Sequence, residues 1–118
     1  MANNVLGSTL AVCCMDPVTG YYRNGKCDTG TGDMGMHTVC VQITKDFLLF
    51  AKSQGNDLIT PMPSYDFPGL QEGDRWCVCL RTVQDAWKAG VNVKIHLEST
   101  HLSVLEFIDL KELEEHRV

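Results

Sequence analysis

Apolar and polar positions alternate from Thr38 to Ile43, a β-branched run whose period of two predicts a strand. Thr44 follows as a helix cap, with Phe47, Leu48, Phe50 and Ala51 on one apolar stripe and Gly55 as the stop. Arg75–Leu80 reads as a second strand. Thr82, with Asp85 three residues on, resembles a helix start; Ala86, Trp87 and Ala89 continue it and Gly90 ends it. Val93–Leu97 reads as a third strand, and Val104–Ile108 as either a fourth strand or the end of a short helix. Asp109 with Glu112 opens a C-terminal helix that carries Leu110 and Leu113 on one face.

Two stretches break these patterns. Residues 16–36 hold Pro17, Gly20, Gly25, Gly30, Gly32 and Gly35 and predict consecutive turns. Asn56–Asp74 holds Pro61, Pro63, Pro68 and two glycines, a long loop that Tyr65, Phe67 and Leu70 are expected to pin to the core. At 118 residues the chain fits one compact domain over 1–118, without repeat or linker. The expected fold class is α+β: a small, mostly antiparallel or mixed sheet, two to three helices and long Gly/Pro-rich loops.

The formal charge of −5 argues against nucleic acid, which is bound through clustered Lys and Arg. The longest apolar run, Phe47–Ala51, falls far short of the ~20 residues that span a membrane. Asn3, Asn4, Gly7, Ser8 and Thr9 interrupt any apolar core of a secretory signal, so the expected compartment is cytoplasmic. Oligomeric state stays open.

Six cysteines would suit three disulfides, but a reducing compartment favours free thiols. Adjacent Cys13 and Cys14 would pair only through distorted backbone. Cys77 and Cys79, on one face of a strand, lie at or beyond the reach of an unstrained bridge. Any disulfide must therefore be long-range.

Three kinds of chemistry are open to these residues. Cys77 and Cys79 would present two sulfurs together to zinc or iron, with Cys13, Cys14, Cys27, Cys40, His37 or His101 as further ligands, although no Cys-x-x-Cys or His-x-x-x-His spacing is present. The bland alternative is that Cys40, Cys77 and Cys79 are buried hydrophobes. A reactive thiol beside a base is the second kind, with Lys26 next to Cys27 and Arg75 near Cys77; His116, near a helix end, reads as local stabilisation instead. Polar recognition is the third, drawing on Asp16–Arg23, Asn56-Asp57 and Gly73-Asp74-Arg75-Trp76, where Arg acts as a fork donor and aromatics as rigid contacts. Phosphate-loop, dinucleotide and nucleophile-elbow motifs are absent: Gly30-Thr31-Gly32 precedes a strand, the wrong context.

Asp16-Pro-Val-Thr-Gly-Tyr-Tyr-Arg23, Gly25-Lys-Cys27, His37-Thr-Val-Cys40, Gly55-Asn-Asp-Leu58 with Thr60-Pro61, Phe67-Pro-Gly-Leu70, Gly73-Asp-Arg-Trp-Cys-Val-Cys79 and Leu97-Glu-Ser-Thr-His101 occur in that order. Together they resemble a family of small uncharacterised bacterial and plant proteins, a domain of unknown function of the DUF2237 type. The resemblance runs from about Val5 to His116. It implies no activity, substrate or cofactor. It does imply that Cys13, Cys27, Cys40, Cys77 and Cys79 belong to the family pattern, whereas Cys14 stands where a small polar residue is usual. Thr82-Val83 and Val93-Lys94 depart from the family's Arg-Trp and Pro-Pro. The matching polar positions are Asp16, Arg23, His37, Asn56, Asp57, Asp74, Arg75, Trp76 and His101.

Two readings follow. The first is a small cytoplasmic binding or interaction module for a small molecule or protein, those nine residues forming a polar, loop-lined pocket near Trp76. The second is a thiol-based protein, a metal carrier or redox enzyme, with Cys77, Cys79 and partners among Cys13, Cys27, Cys40 and His37, and with zinc or iron as its metal.

Overall fold

A computed structural model describes residues 2–118. Strands β1 (His37–Gln42), β2 (Arg75–Cys79) and β3 (Lys94–Ile95) form an antiparallel sheet in the order β2-β1-β3. Three helices accompany it: α1 (Lys45–Ser53), α2 (Leu80–Lys88) and α3 (Leu110–Glu115). The expected α+β domain is what the chain forms.

The hydroxyl of Thr44 accepts the Phe47 N–H at 3.2 Å and starts α1, which buries Phe47, Leu48 and Ala51. Helix α2 departs from the sequence pattern. It begins at Leu80, directly off β2, with Cys79 rather than Thr82 at its cap position. The Leu80 N–H still bonds the Met36 carbonyl at 3.1 Å, so the chain leaves the sheet and coils without a loop. That entry places Leu80, Val83 and Ala86 on one buried face. Val104–Ile108 resolves toward helix, as a 3-10 turn over Leu102–Glu106, and β3 is shorter than the apolar run that predicts it.

The sheet is covered on both faces. Val39 and Val41 of β1, with Val78 and Trp76 opposite them, join the core that also holds Phe47, Val83, Ile95 and Leu97. The alternate positions, Cys40 and Cys77, are also cross-strand partners and face the other way, into a cluster with Cys13 and Cys27. There the expectation of free thiols is corrected. Cys13 is bonded to Cys40 and Cys27 to Cys77, with Cα separations of 5.7 and 5.2 Å. Both pairings are long-range, spanning 27 and 50 residues, and together they tie the N-terminal segment that carries the turn-rich run onto the sheet. Cys14 and Cys79 are the free cysteines.

The loop 56–74 is packed down by Phe67 and Leu70 as expected, whereas Tyr65 is 69% exposed and pins nothing. Among the described residues, no helix is long and apolar enough to cross a membrane.

Candidate functional site

The two long loops meet over Trp76. This side chain leaves β2 toward the core, packs against Phe67 of the second loop with ring centroids 5.2 Å apart, and carries the Arg23 guanidinium 5.2 Å above its ring. Arg23 is held in the left-handed region, φ 54°, at the end of a turn that Gly20 makes possible. A Cβ on Gly20 would stand 2.3 Å from the Lys26 carbonyl oxygen, and its φ of 101° excludes other residues besides. The turn thus lays the exposed Arg23 across the indole, with its Nη1 donating to the Val18 carbonyl at 3.3 Å.

The resulting cleft, about 330 Å³, is walled by Tyr21, Arg23, His37, Asp57, Leu58 and Trp76, among others. Asp57 is held by its own loop: its carboxylate accepts the Ile59 and Thr60 N–H groups at 2.9 and 3.0 Å and the Thr60 hydroxyl at 2.6 Å. The Thr60 hydroxyl, then the backbone donors, draw its pKa down to about 2. Asp57 is therefore a fixed anion at the rim. His37 and Trp76 also border a second cavity of about 290 Å³, which adds Asn56, Val78, Cys79 and Thr82.

His37 starts β1 and pairs across the sheet with Cys79, at the one irregularity in the β1–β2 ladder. Its Nδ1 lies 2.6 Å from the Asp33 carboxylate. Asp33 has a fully buried side chain and also accepts the His37 N–H and the Thr29 hydroxyl, each at 2.9 Å. Burial pushes the Asp33 carboxyl up, but the His37 and Thr29 hydrogen bonds outweigh it and hold the group below its ordinary value. His37 moves the other way. The neighbouring Cys79 side chain, opposed by burial and reinforced by Asp33, raises its pKa to about 9. At neutral pH the cleft therefore holds two cations, Arg23 and His37.

Of the nine expected site residues, Arg23, His37, Asn56, Asp57 and Trp76 line these two connected cavities. Four do not. Asp16 borders a separate shallow groove with Pro61 and Pro63. Asp74 closes a turn by accepting the Gln71 N–H at 2.8 Å. Arg75 is exposed and acts electrically on His96, whose pKa is lowered by burial and by that charge. His101 caps the 3-10 turn, its Nδ1 accepting the Ser103 N–H at 3.0 Å. As for the metal reading, the sulfurs of Cys13, Cys27 and Cys77 lie within 4.8 Å of one another, but all three are in disulfides, as is Cys40. The thiolates that zinc or iron would need are spent there.

Asp33 was hidden in the sequence. Its signal is an acid four residues before His37 at the end of a glycine-rich run, and only the turn from Gly30 to Met36 brings the two side chains together.

A small antiparallel sheet flanked by helices, with the N-terminal turn-rich segment tied to it by two disulfides and a second loop completing a polar cleft, defines the class of domain. The family model for an uncharacterised protein conserved in bacteria, DUF2237, matches residues 3–117, and the chain belongs to that family. No curated protein matches it.

Proposed function

We propose that this protein is a binding module for a small molecule that carries an anionic group on a flat apolar body. The observation that supports this reading best is the convergence of Arg23, His37 and Asp57, from three separate segments, around the Trp76 floor. Such a cleft has the usual size and make-up of a ligand site: apolar walls with a few placed polar groups. Arg23 offers a two-pronged donor to a carboxylate, and Trp76 with Leu58 offers a flat apolar surface. The left-handed backbone at Arg23 costs about 1 kcal/mol or more, a strain that function would explain. The cationic pair stands out against a net charge of −5, which disfavours nucleic acid as the partner. A cytoplasmic home fits this reading if the disulfides resist glutathione, and their sulfurs are sealed in, Cys27 and Cys40 having no exposed area.

Titration with phenylacetate, followed through backbone and indole NMR signals, tests the proposal. The expected result is saturable shifts confined to Arg23, His37, Asp57, Leu58 and Trp76, weakened at least tenfold in Arg23→Ala. Absence of saturable shifts, or shifts scattered over the surface, would overturn it.

A further inference from the structure

Cys79, His37 and Asp33 form a connected set that ligand binding alone does not use. We infer that Cys79 is a nucleophile for acyl transfer, with His37 as its acid and base and Asp33 as the residue that positions His37. This rests on the binding reading for its substrate class: an ester or thioester of a small carboxylic acid, anchored over Trp76.

The placement is built from three sides. Cys79 and His37 are cross-strand partners, so the sheet itself sets them side by side. Gly35 lies against both: a Cβ there would stand 3.0 Å from the His37 ring carbon Cε1 and 3.2 Å from the Cys79 sulfur. Asp33, buried and fully hydrogen-bonded, grips Nδ1 of His37 and leaves Nε2 as the ring nitrogen free to exchange a proton. This is a nucleophile, a base and an orienting carboxylate in sequence, the arrangement that acyl-transfer sites share across unrelated folds.

Cys79 also occupies the cap position of the nine-residue helix α2, without capping it. A helix start favours a thiolate, and its first N–H groups have no acceptor within the helix. Leu80 is satisfied by Met36, which leaves the N–H groups that follow it in the first turn as the donors an oxyanion could meet. Thr82, in that first turn, lines the same cavity as Cys79. Cys79 is partly exposed and lines both the cavity shared with His37 and Trp76 and one walled by Gly35, Met36 and Arg81.

The chemistry balances with water as co-reactant. The Cys79 thiolate adds to the acyl carbon; the bond from that carbon to the leaving oxygen or sulfur breaks, and the His37 imidazolium gives the leaving group its proton. Water then attacks the thioester as His37 takes up one of its protons, the carbon–sulfur bond breaks, and the carboxylic acid leaves, giving its remaining proton to solvent, with thiolate and imidazolium restored. With a pKa near 9, His37 at neutral pH already carries the proton that the leaving group needs. The groups around His37 are Asp33, Cys79 and the stacked Tyr21 ring, with Arg23 and Asp57 on the cleft wall.

Cys14, the other free thiol, serves as an internal reference. The protein is incubated with p-nitrophenyl acetate, and acetylation of each cysteine is followed by peptide mass spectrometry. We expect Cys79 to acetylate at least ~100-fold faster than Cys14 and to release acetate with turnover. His37→Gln should bring Cys79 to the Cys14 rate, and Asp33→Asn should move the alkaline limb of acetylation to lower pH. Circular dichroism establishes that each variant is folded; if Asp33→Asn unfolds, His37→Gln decides. Cys79 reacting no faster than Cys14, or a ratio unchanged in His37→Gln, would overturn the inference. Phenylacetate failing to reach Trp76 while Cys79 acetylates rapidly would remove the binding reading and leave the nucleophile standing.

Discussion

A single buried carboxylate fixes how the His37 ring is held. Asp33 accepts from both the ring and the backbone of His37, so it fixes the rotamer and holds the proton on Nδ1. The linkage to stability follows from the direction of each shift. His37 has a folded pKa near 9 against 6.5 unfolded, so its contribution is complete below about 6.5 and vanishes as pH rises through 9. Asp33, shifted down, contributes above its ordinary carboxylate value and loses that contribution as pH falls through its folded pKa. Urea midpoints for the native chain should therefore drop at both ends of the range, and His37→Gln should abolish most of the alkaline drop. An alkaline drop of equal size in His37→Gln would mean that another group is titrating. His37 itself was legible from the sequence as a polar position of the family pattern just before a strand, but Asp33 was not, because nothing in a linear pattern says which acid of fifteen folds back onto it.

At the level of elements, local patterns were read correctly where a cap or an alternation sets them. Thr44 caps α1, and Val39 and Val41 take one face while Cys40 takes the other. The start of α2 was misplaced because its signal is tertiary: the Leu80 N–H is bonded to Met36, and no capping side chain marks Cys79. Gly20 belongs to this scale too. Gly20→Ala would force a Cβ against the Lys26 carbonyl at a left-handed φ, and we expect a loss of about 1–3 kcal/mol in chemical denaturation, with the Arg23 turn displaced. Thr44→Ala, which removes only one capping bond, should cost about 1 kcal/mol by the same measurement and leave the cleft unchanged.

Across the whole molecule the disulfides carry the architecture that local pattern cannot. The long separations, 27 and 50 residues, were anticipated as the only workable kind, but the compartment inference pointed to free thiols and was outweighed. Each closure restricts the unfolded chain by roughly 3–4 kcal/mol on loop length. Cys13→Ser with Cys40→Ser should accordingly cost about 2–5 kcal/mol and loosen the segment before Arg23. Thiol titration of the native protein should find two free thiols, Cys14 and Cys79, and six after reduction in denaturant.

His37 touches every part of this account, standing between the Trp76 cleft, the free thiol and the buried acid. Following its ring signals by NMR from mildly acid to alkaline pH, with and without phenylacetate, is the most direct measurement. A midpoint near 9 that falls in Cys79→Ser and shifts when the carboxylate binds is the predicted result. A midpoint near 6.5, indifferent to both, would contradict the coupling of cleft, thiol and acid.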